Sequence, residues 1–222
     1  MQDDTTPETS ARRKLTRDGI LRAAVTLADL GGLEKLTMRR LAQNLGVEAM
    51  SLYNHVGGKE ELLDGMVETV AAEFAAPGSE VPWQDAMRDR AMVGYAVLCR
   101  HEWLAGLLVA RVNSGPVMLA YVDATLGCLR RAGFSHAQAD RIWNALDSYV
   151  YGFTLQQLRF PFAPEDYAQA ARAYLPAIDP AQLPYLHALT VDVAEARHDG
   201  IQTLSFGLDL LFDALERLPK TG

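Results

Sequence analysis

The residues with most chemistry to offer lie in one stretch, Leu36 to Lys59, which reads LTMRRLAQNLGVEAMSLYNHVGGK. Its second half gathers Ser51, Tyr53, Asn54, His55 and Lys59. An asparagine amide pairs bidentately with adenine, a serine hydroxyl bonds base or phosphate, and small apolar groups touch a thymine methyl. Ala49 and Met50 stand beside them for that last role. Tyr53 and Lys59 suit phosphates, which fix register on a duplex rather than sequence. Arg39 and Arg40 add positive charge at the same edge, and Arg12, Arg13, Lys14 and Arg17 extend the basic run.

These groups need elements to hold them. Thr37 is a good N-cap, with Leu36 and Leu41 as its hydrophobic staple. The helix it opens is short and ends at Gly46, which accepts a left-handed conformation. A second short helix covers about Ala49 to Val56, until Gly57-Gly58 break it. Leu41, Ala42, Leu45, Val47, Leu52 and Val56 form the interior, which leaves Ala49, Met50, Ser51, Tyr53, Asn54 and His55 outside. Helices flank the pair. One is capped by Thr16, stapled by Leu15 and Ile20 and stopped at Gly31-Gly32. The other opens at Lys59 and carries Leu62, Leu63, Met66, Val67, Val70 and Phe74. This is helix-turn-helix anatomy, and such a helix enters a major groove about 12 Å wide. A plain helical bundle with a tight corner has the same spacing.

Residue detail separates the two. The capped Thr37, Arg40-Leu41-Ala42, Leu45-Gly46-Val47, and Ser51-Leu52-Tyr53-Asn54-His55-Val56 followed by Lys59 and Leu62-Leu63 resemble the TetR family of bacterial transcriptional regulators. Trp83-Gln84-Asp85 and the later helix order resemble the tetracycline-repressor branch. The resemblance implies a homodimer that binds double-stranded operator DNA and a small-molecule effector. It implies DNA contacts from Thr37, Met38, Arg39, Ala49, Met50, Ser51, Tyr53, Asn54, His55 and Lys59. One feature departs from the branch. Tetracycline repressors hold a drug–magnesium chelate with histidines, yet residues 71–76 and 107–113 contain none here. No metal site and no cofactor are carried over.

The rest of the chain also reads as helices. They run from Pro82 to about Arg100, His101 to Val112, Pro116 to Arg131, Ser135 to Arg159, Glu165 to Tyr174, Tyr185 to Arg197 and Ile201 to Leu218. Ser135 with Gln138 makes a capping box. No alternating strand pattern and no internal repeat stand out, so the expected fold is all-α with eight to ten helices. Residues 1–14 form an arm, 15–76 the DNA-binding domain with its connecting helix, and 77–222 a ligand-binding and dimerisation domain. The last helix presents Ile201, Leu204, Phe206, Leu208, Leu210, Leu211, Phe212, Leu215 and Leu218, more than one apolar stripe. It should pair with the helix after Ser135 in a symmetric four-helix dimer interface.

Candidate effector-lining residues are Tyr95, Trp103, Leu107, Tyr121, Trp143, Asp147, Tyr151 and Gln156, an apolar and aromatic set with a few polar groups. Any of them could equally be core. Asp147 is notable as an acid in an otherwise apolar helix, either a ligand contact or a carboxylate satisfied by a neighbour. Glu195 and His198 make one Glu-x-x-His, whereas a di-iron bundle needs two with further carboxylates. No GxSxG, P-loop, HExxH or paired CxxC motif is present.

Composition bounds the classes. The chain has 222 residues, 49% apolar and 22% charged, an ordinary globular make-up. Cys99 and Cys128 are too few for a disulfide framework. Met1-Gln2-Asp3-Asp4 does not read as a signal peptide, and the longest apolar stretch, Trp103 to Ala110, is far short of the ~20 residues that span a bilayer. The expected location is the cytoplasm. Net charge is −7, but residues 11–60 hold nine Lys/Arg against five Asp/Glu, a local +4. A ligand-responsive repressor fits best. A constitutive DNA-binding regulator stays open, and an all-α enzyme lacks a nucleophile or metal signature. A helical interaction module would not need Tyr53, Asn54 and Lys59 beside a basic block.

Overall fold

The computed structural model describes residues 15–200 and 202–220, and every described element is helical or irregular. Arg12, Arg13, Lys14 and Ile201 lie outside the described residues, as does the proposed arm 1–14. Helix α1 (Arg17–Gly31) starts where the Thr16 hydroxyl accepts from the Gly19 amide at 3.1 Å. Its buried face is Ile20, Leu21, Ala24 and Ala28. Helix α2 (Met38–Leu45) is capped the same way, Thr37 accepting from the Arg40 amide at 3.1 Å. Gly46 then turns the chain in the left-handed region, with φ at 66°. That conformation lets Val47 donate its amide back to Ala42 at 3.0 Å and aims α3 (Ala49–Tyr53) away from α2. Helix α4 (Lys59–Ala71) packs on α1. Gly65 permits this close approach, since a Cβ there would lie 2.6 Å from Leu21 Cδ2. Leu36, Leu41, Leu52, Leu62 and Met66 are fully buried at the centre of this unit.

The larger unit follows with α5 (Trp83–Arg100), α6 (Leu104–Ala110), α7 (Pro116–Arg131) and α8 (His136–Arg159). After these come α9 (Tyr167–Tyr174), α10 (Pro184–Ala194) and α11 (Leu204–Glu216). Helices α5, α7 and α8 pack on one another, and α11 lies on α8 and α5. Helices α9 and α10 pack mainly on each other. Met87, Leu98, Leu104, Leu129, Phe134, Leu146 and Leu208 fill the interior. The capping box is complete: Gln138 donates to Ser135 Oγ at 3.3 Å, and its side-chain oxygen accepts from the Ser135 amide at 2.8 Å. The connecting helix α4 meets α6 and α7, which ties the two units together.

The all-α class holds, with eleven α-helices among the described residues rather than eight to ten. Several boundaries move. Helix α3 ends at Tyr53, and Asn54 and His55 fall in the turn beyond it. Residues 101–103 form a turn before α6 instead of its first residues. Helix α10 ends at Ala194, because the Asp192 carbonyl takes the amides of Arg197 and His198 and Ala196 adopts a positive φ of 57°. Glu195 and His198 therefore do not share a helix face. No single described helix is long and apolar enough to cross a membrane.

Candidate nucleic-acid interface and effector region

Helices α2 and α3 hold one exposed edge. Met50 is 76% exposed and Tyr53 49%, although both are large and apolar in body. Burial of Leu52 and Val56 locks α3 from behind, which leaves those side chains outward. Thr37, Arg39, Arg40, Asn54 and Lys59 are exposed, while Met38, Ala49, Ser51 and His55 are half-buried beside them. The structure thus brings all eleven sequence-derived positions to α2 and its cap, α3 and the turn after it, and the start of α4. Arg39, Arg40 and Lys59 form no ion pair with any described residue, so their charge is available to phosphates. The Thr37 hydroxyl is occupied as an acceptor by its cap but keeps its O–H to donate. Fixed caps and a tight turn suit an element that must present side chains in one register.

One positioning group escaped the sequence reading. Glu61 accepts from the Gly57 amide at 2.7 Å and lies 3.4 Å from Arg17 of α1. It fixes the turn that follows His55 and leads into Lys59. The sequence showed Glu61 only as an acid in a helix first turn. Its reach back to Gly57 depends on the backbone path through Gly58.

The effector candidates do not all converge. Asp147, Trp143 and Tyr151 of α8 meet Tyr121 of α7 around Arg90 of α5. Arg90 donates to Asp147 Oδ1 at 2.7 Å and Oδ2 at 3.1 Å, and its Nε donates to Thr125 at 3.0 Å. Trp143 Nε1 and the Tyr151 hydroxyl donate to Asp147 Oδ2 at 2.6 and 3.3 Å. The Tyr121 ring lies 4.8 Å from the guanidinium. Asp147 is thus a carboxylate satisfied by a neighbouring helix. Burial works against the Arg90 charge, but Asp147 outweighs it and lifts the guanidinium above its ordinary range. Burial pushes the Tyr121 phenol up to about 12 against the pull of Arg90. Burial and then Asp147 raise Tyr151 as well.

The remaining candidates stand elsewhere. The Tyr95 hydroxyl meets the Gln157 side-chain oxygen, and its ring packs on Phe153 at 5.9 Å. Burial and the neighbouring Cys99 push Tyr95 up to about 12. Leu107 is buried, Gln156 is exposed, and Trp103 donates to Asp29 of α1 at 2.6 Å. Two cavities border none of the eight. One of about 320 Å³ lies between α1, α4 and residues 112–116. The other, about 450 Å³ and apolar, lies between α9 and α10. Among the described residues no three His, Cys, Asp or Glu side chains are gathered for a metal ion. With no histidine at 71–76 or 107–113, the residues present do not fit the magnesium chelate of the tetracycline-repressor branch.

The fold and the exposed edge define a helix-turn-helix DNA-binding protein joined to a larger all-helical domain. Residues 20–66 match the model for bacterial regulatory proteins of the tetR family. Residues 76–218 match the tetracyclin repressor-like C-terminal domain. The chain is 32% identical over 230 residues to the HTH-type transcriptional repressor DrrR1 of Streptomyces coeruleorubidus, covering 96% of this chain and 81% of that one. It is 28% identical over 208 residues to the Escherichia coli tetracycline repressor protein class D, covering 91% and 90%. Among solved structures, apo ActR from Streptomyces coelicolor matches with a TM-score of 0.77 at 27% identity, over 90% of this chain and 94% of that one. ActR in complex with actinorhodin matches with a TM-score of 0.76 at 27% identity, over 91% and 97%. The chain belongs to the TetR family of bacterial transcriptional regulators.

Proposed function

We propose that this regulator is a cytoplasmic homodimeric repressor that binds a pseudo-palindromic operator through α2 and α3 and leaves it when an effector binds. The observation that carries the DNA reading is the exposed edge of α3 and the turn after it, where Met50, Tyr53 and Asn54 stand outside a locked helix pair flanked by Arg39, Arg40 and Lys59, which pair with no described residue. Residues Thr37, Met38, Arg39, Arg40, Ala49, Met50, Ser51, Tyr53, Asn54, His55 and Lys59 make the contacts. Two such edges in a dimer meet half-sites about one helical turn apart, ~34–36 Å, or a multiple of it.

The effector is an aromatic small molecule that binds among α5, α7 and α8. The solved ActR complex with actinorhodin and the names of the tetracycline repressors support an aromatic class. In this chain Tyr121 stacks on Phe74 at 5.2 Å, and Phe74 follows the connecting helix. A ligand that displaces Tyr121 therefore acts next to α4, and it acts only through unequal affinity for the two states. Selection from random duplex DNA with the full chain is the test, followed by titration of aromatic compounds with and without the selected duplex. An enriched palindrome, and a ligand weakened by that duplex as much as it weakens the duplex, support the reading. No enriched palindrome refutes the operator claim. Equal ligand affinity in both titrations refutes induction.

A further inference from the structure

The segment between α5 and α6 holds the DNA-binding unit by a route other than the connecting helix. Trp103 Nε1 donates to Asp29 Oδ1 at 2.6 Å. His101 Nδ1 lies 2.8 Å from the same oxygen, and because a carboxylate only accepts, that nitrogen carries the hydrogen. His101 Nε2 lies 3.3 Å from Glu73 Oε1, without hydrogen-bond alignment. Arg100 donates to Glu73 Oε2 at 2.6 Å. Trp103 and His101 are buried, and their rings meet edge to face at 5.9 Å. Asp29 belongs to the last turns of α1, the helix that packs against both α2 and α4. At the far end of α6, Arg111 pairs with Glu60 at 2.6 Å and Asp64 at 2.7 Å, both on α4. Helix α6 is therefore a strut, tied at its start to α1 and just past its end to α4.

A unit held through α4 alone, where α4 packs on α6 and α7, would keep the freedom to tilt about that one region of contact. A second attachment on α1 removes that freedom, because two separate anchor points fix an orientation that one does not. We propose that Asp29 is a positioning residue for DNA recognition: held by Trp103 and His101, it sets the pitch of the DNA-binding unit and hence the half-site spacing that a dimer accepts. Asp29 touches no DNA in this account and acts through the attitude of α3. Trp103 is then a strut residue, not a wall of the effector site. The proposal rests on the reading of a paired recognition edge, and the test separates the two.

Full-length protein is assayed by fluorescence anisotropy on the duplex selected from random DNA and on two versions with one base pair added or removed between half-sites. One base pair moves a half-site by about 3.4 Å and turns it about the axis. Wild type should prefer the selected spacing. Asp29→Ala and Trp103→Phe should narrow that preference by about tenfold, the scale of a lost hydrogen bond to a charged group. Both should keep the slope of affinity against salt, because the phosphate contacts are unchanged. Asp29→Asn retains an oxygen acceptor and should keep most of the preference. Circular dichroism confirms folding, and the partly exposed Asp29 gives a second route should Trp103→Phe unfold the chain. Variants that discriminate spacing as wild type does, or that lose affinity for all three duplexes in equal proportion, overturn the proposal. Wild type that is indifferent to spacing overturns the paired-edge reading, and the positioning role falls with it.

Discussion

Arg90 of α5 grips Asp147 of α8 with both terminal guanidinium nitrogens, at 2.7 and 3.1 Å, and the Arg90 side chain is only 2% exposed. Thr125, Trp143 and Tyr151 complete the hydrogen bonds around the pair. A buried charge pair adds little over apolar packing, but removing one partner strands the other and costs about 3–5 kcal/mol. Asp147→Asn should therefore lower stability by roughly that amount in urea unfolding. The double variant Arg90→Met with Asp147→Leu should cost less than the two single changes added together. A single variant within ~1 kcal/mol of wild type would show that the pair is not held as described.

The same network sets a response to alkali. An exposed tyrosine titrates near 10, whereas burial pushes Tyr121 up to about 12 and raises Tyr151 further. A phenol whose folded value is raised binds its proton longer in the folded state than in the unfolded one. The stability it contributes is whole below pH about 10 and is lost as pH rises from there through about 12. Denaturation midpoints should fall across that window, and Tyr121→Phe or Tyr151→Phe should flatten the fall. An unchanged pH slope in both variants would contradict this.

Helix starts were legible because a cap is local chemistry. Thr16, Thr37 and the Ser135–Gln138 box each bond an amide within three residues, and Gly46 turns where its missing Cβ allows. The exposed edge of α3 was legible for a related reason: Leu52 and Val56 had to face in, so their neighbours had to face out. Long-range polar contacts were not legible. Arg90 reads as a surface residue until Asp147, 57 positions on, is folded against it. Trp103 reads as a pocket wall until Asp29, 74 positions before it, accepts its indole N–H. The early end of α10 was hidden too, since the left-handed Ala196 carries no glycine signal.

At the DNA edge, Lys59 and Asn54 should fail in different ways. Lys59 is exposed at the first turn of α4 and pairs with no described residue, so Lys59→Ala should weaken every duplex alike and reduce the salt slope by about 1. Asn54 lies exposed in the turn after α3. If it reads a base, Asn54→Ala should cost roughly 1–3 kcal/mol and relax preference at one operator position. Selection profiles for the two variants decide between base and phosphate. A relaxed position with Lys59→Ala, or a purely uniform loss with Asn54→Ala, would exchange their roles.

The last helix sorts its apolar residues by direction. Leu204, Leu208 and Phe212 are buried within the chain, and Leu211 and Leu215 pack half-buried against the same core. Phe206 and Leu210 face outward at 65% and 58% exposed, with Leu218 beyond them. That outward stripe, beside α8, is the face proposed to pair in the dimer, where a standard interface buries about 800 Å² per partner. The informative substitution must fall on it. Asp209 is unsuitable because it pairs with Arg88 at 2.7 Å, and Leu211 is unsuitable because it supports the core. Leu210→Glu loses a buried side chain worth about 1.5–3 kcal/mol and adds a carboxylate to desolvate. Sedimentation velocity should show wild type as a dimer at micromolar concentration and the variant shifted toward monomer, with an unchanged circular dichroism spectrum. A variant that dimerises as tightly as wild type would move the interface off this stripe, and a wild-type monomer would remove the dimer altogether.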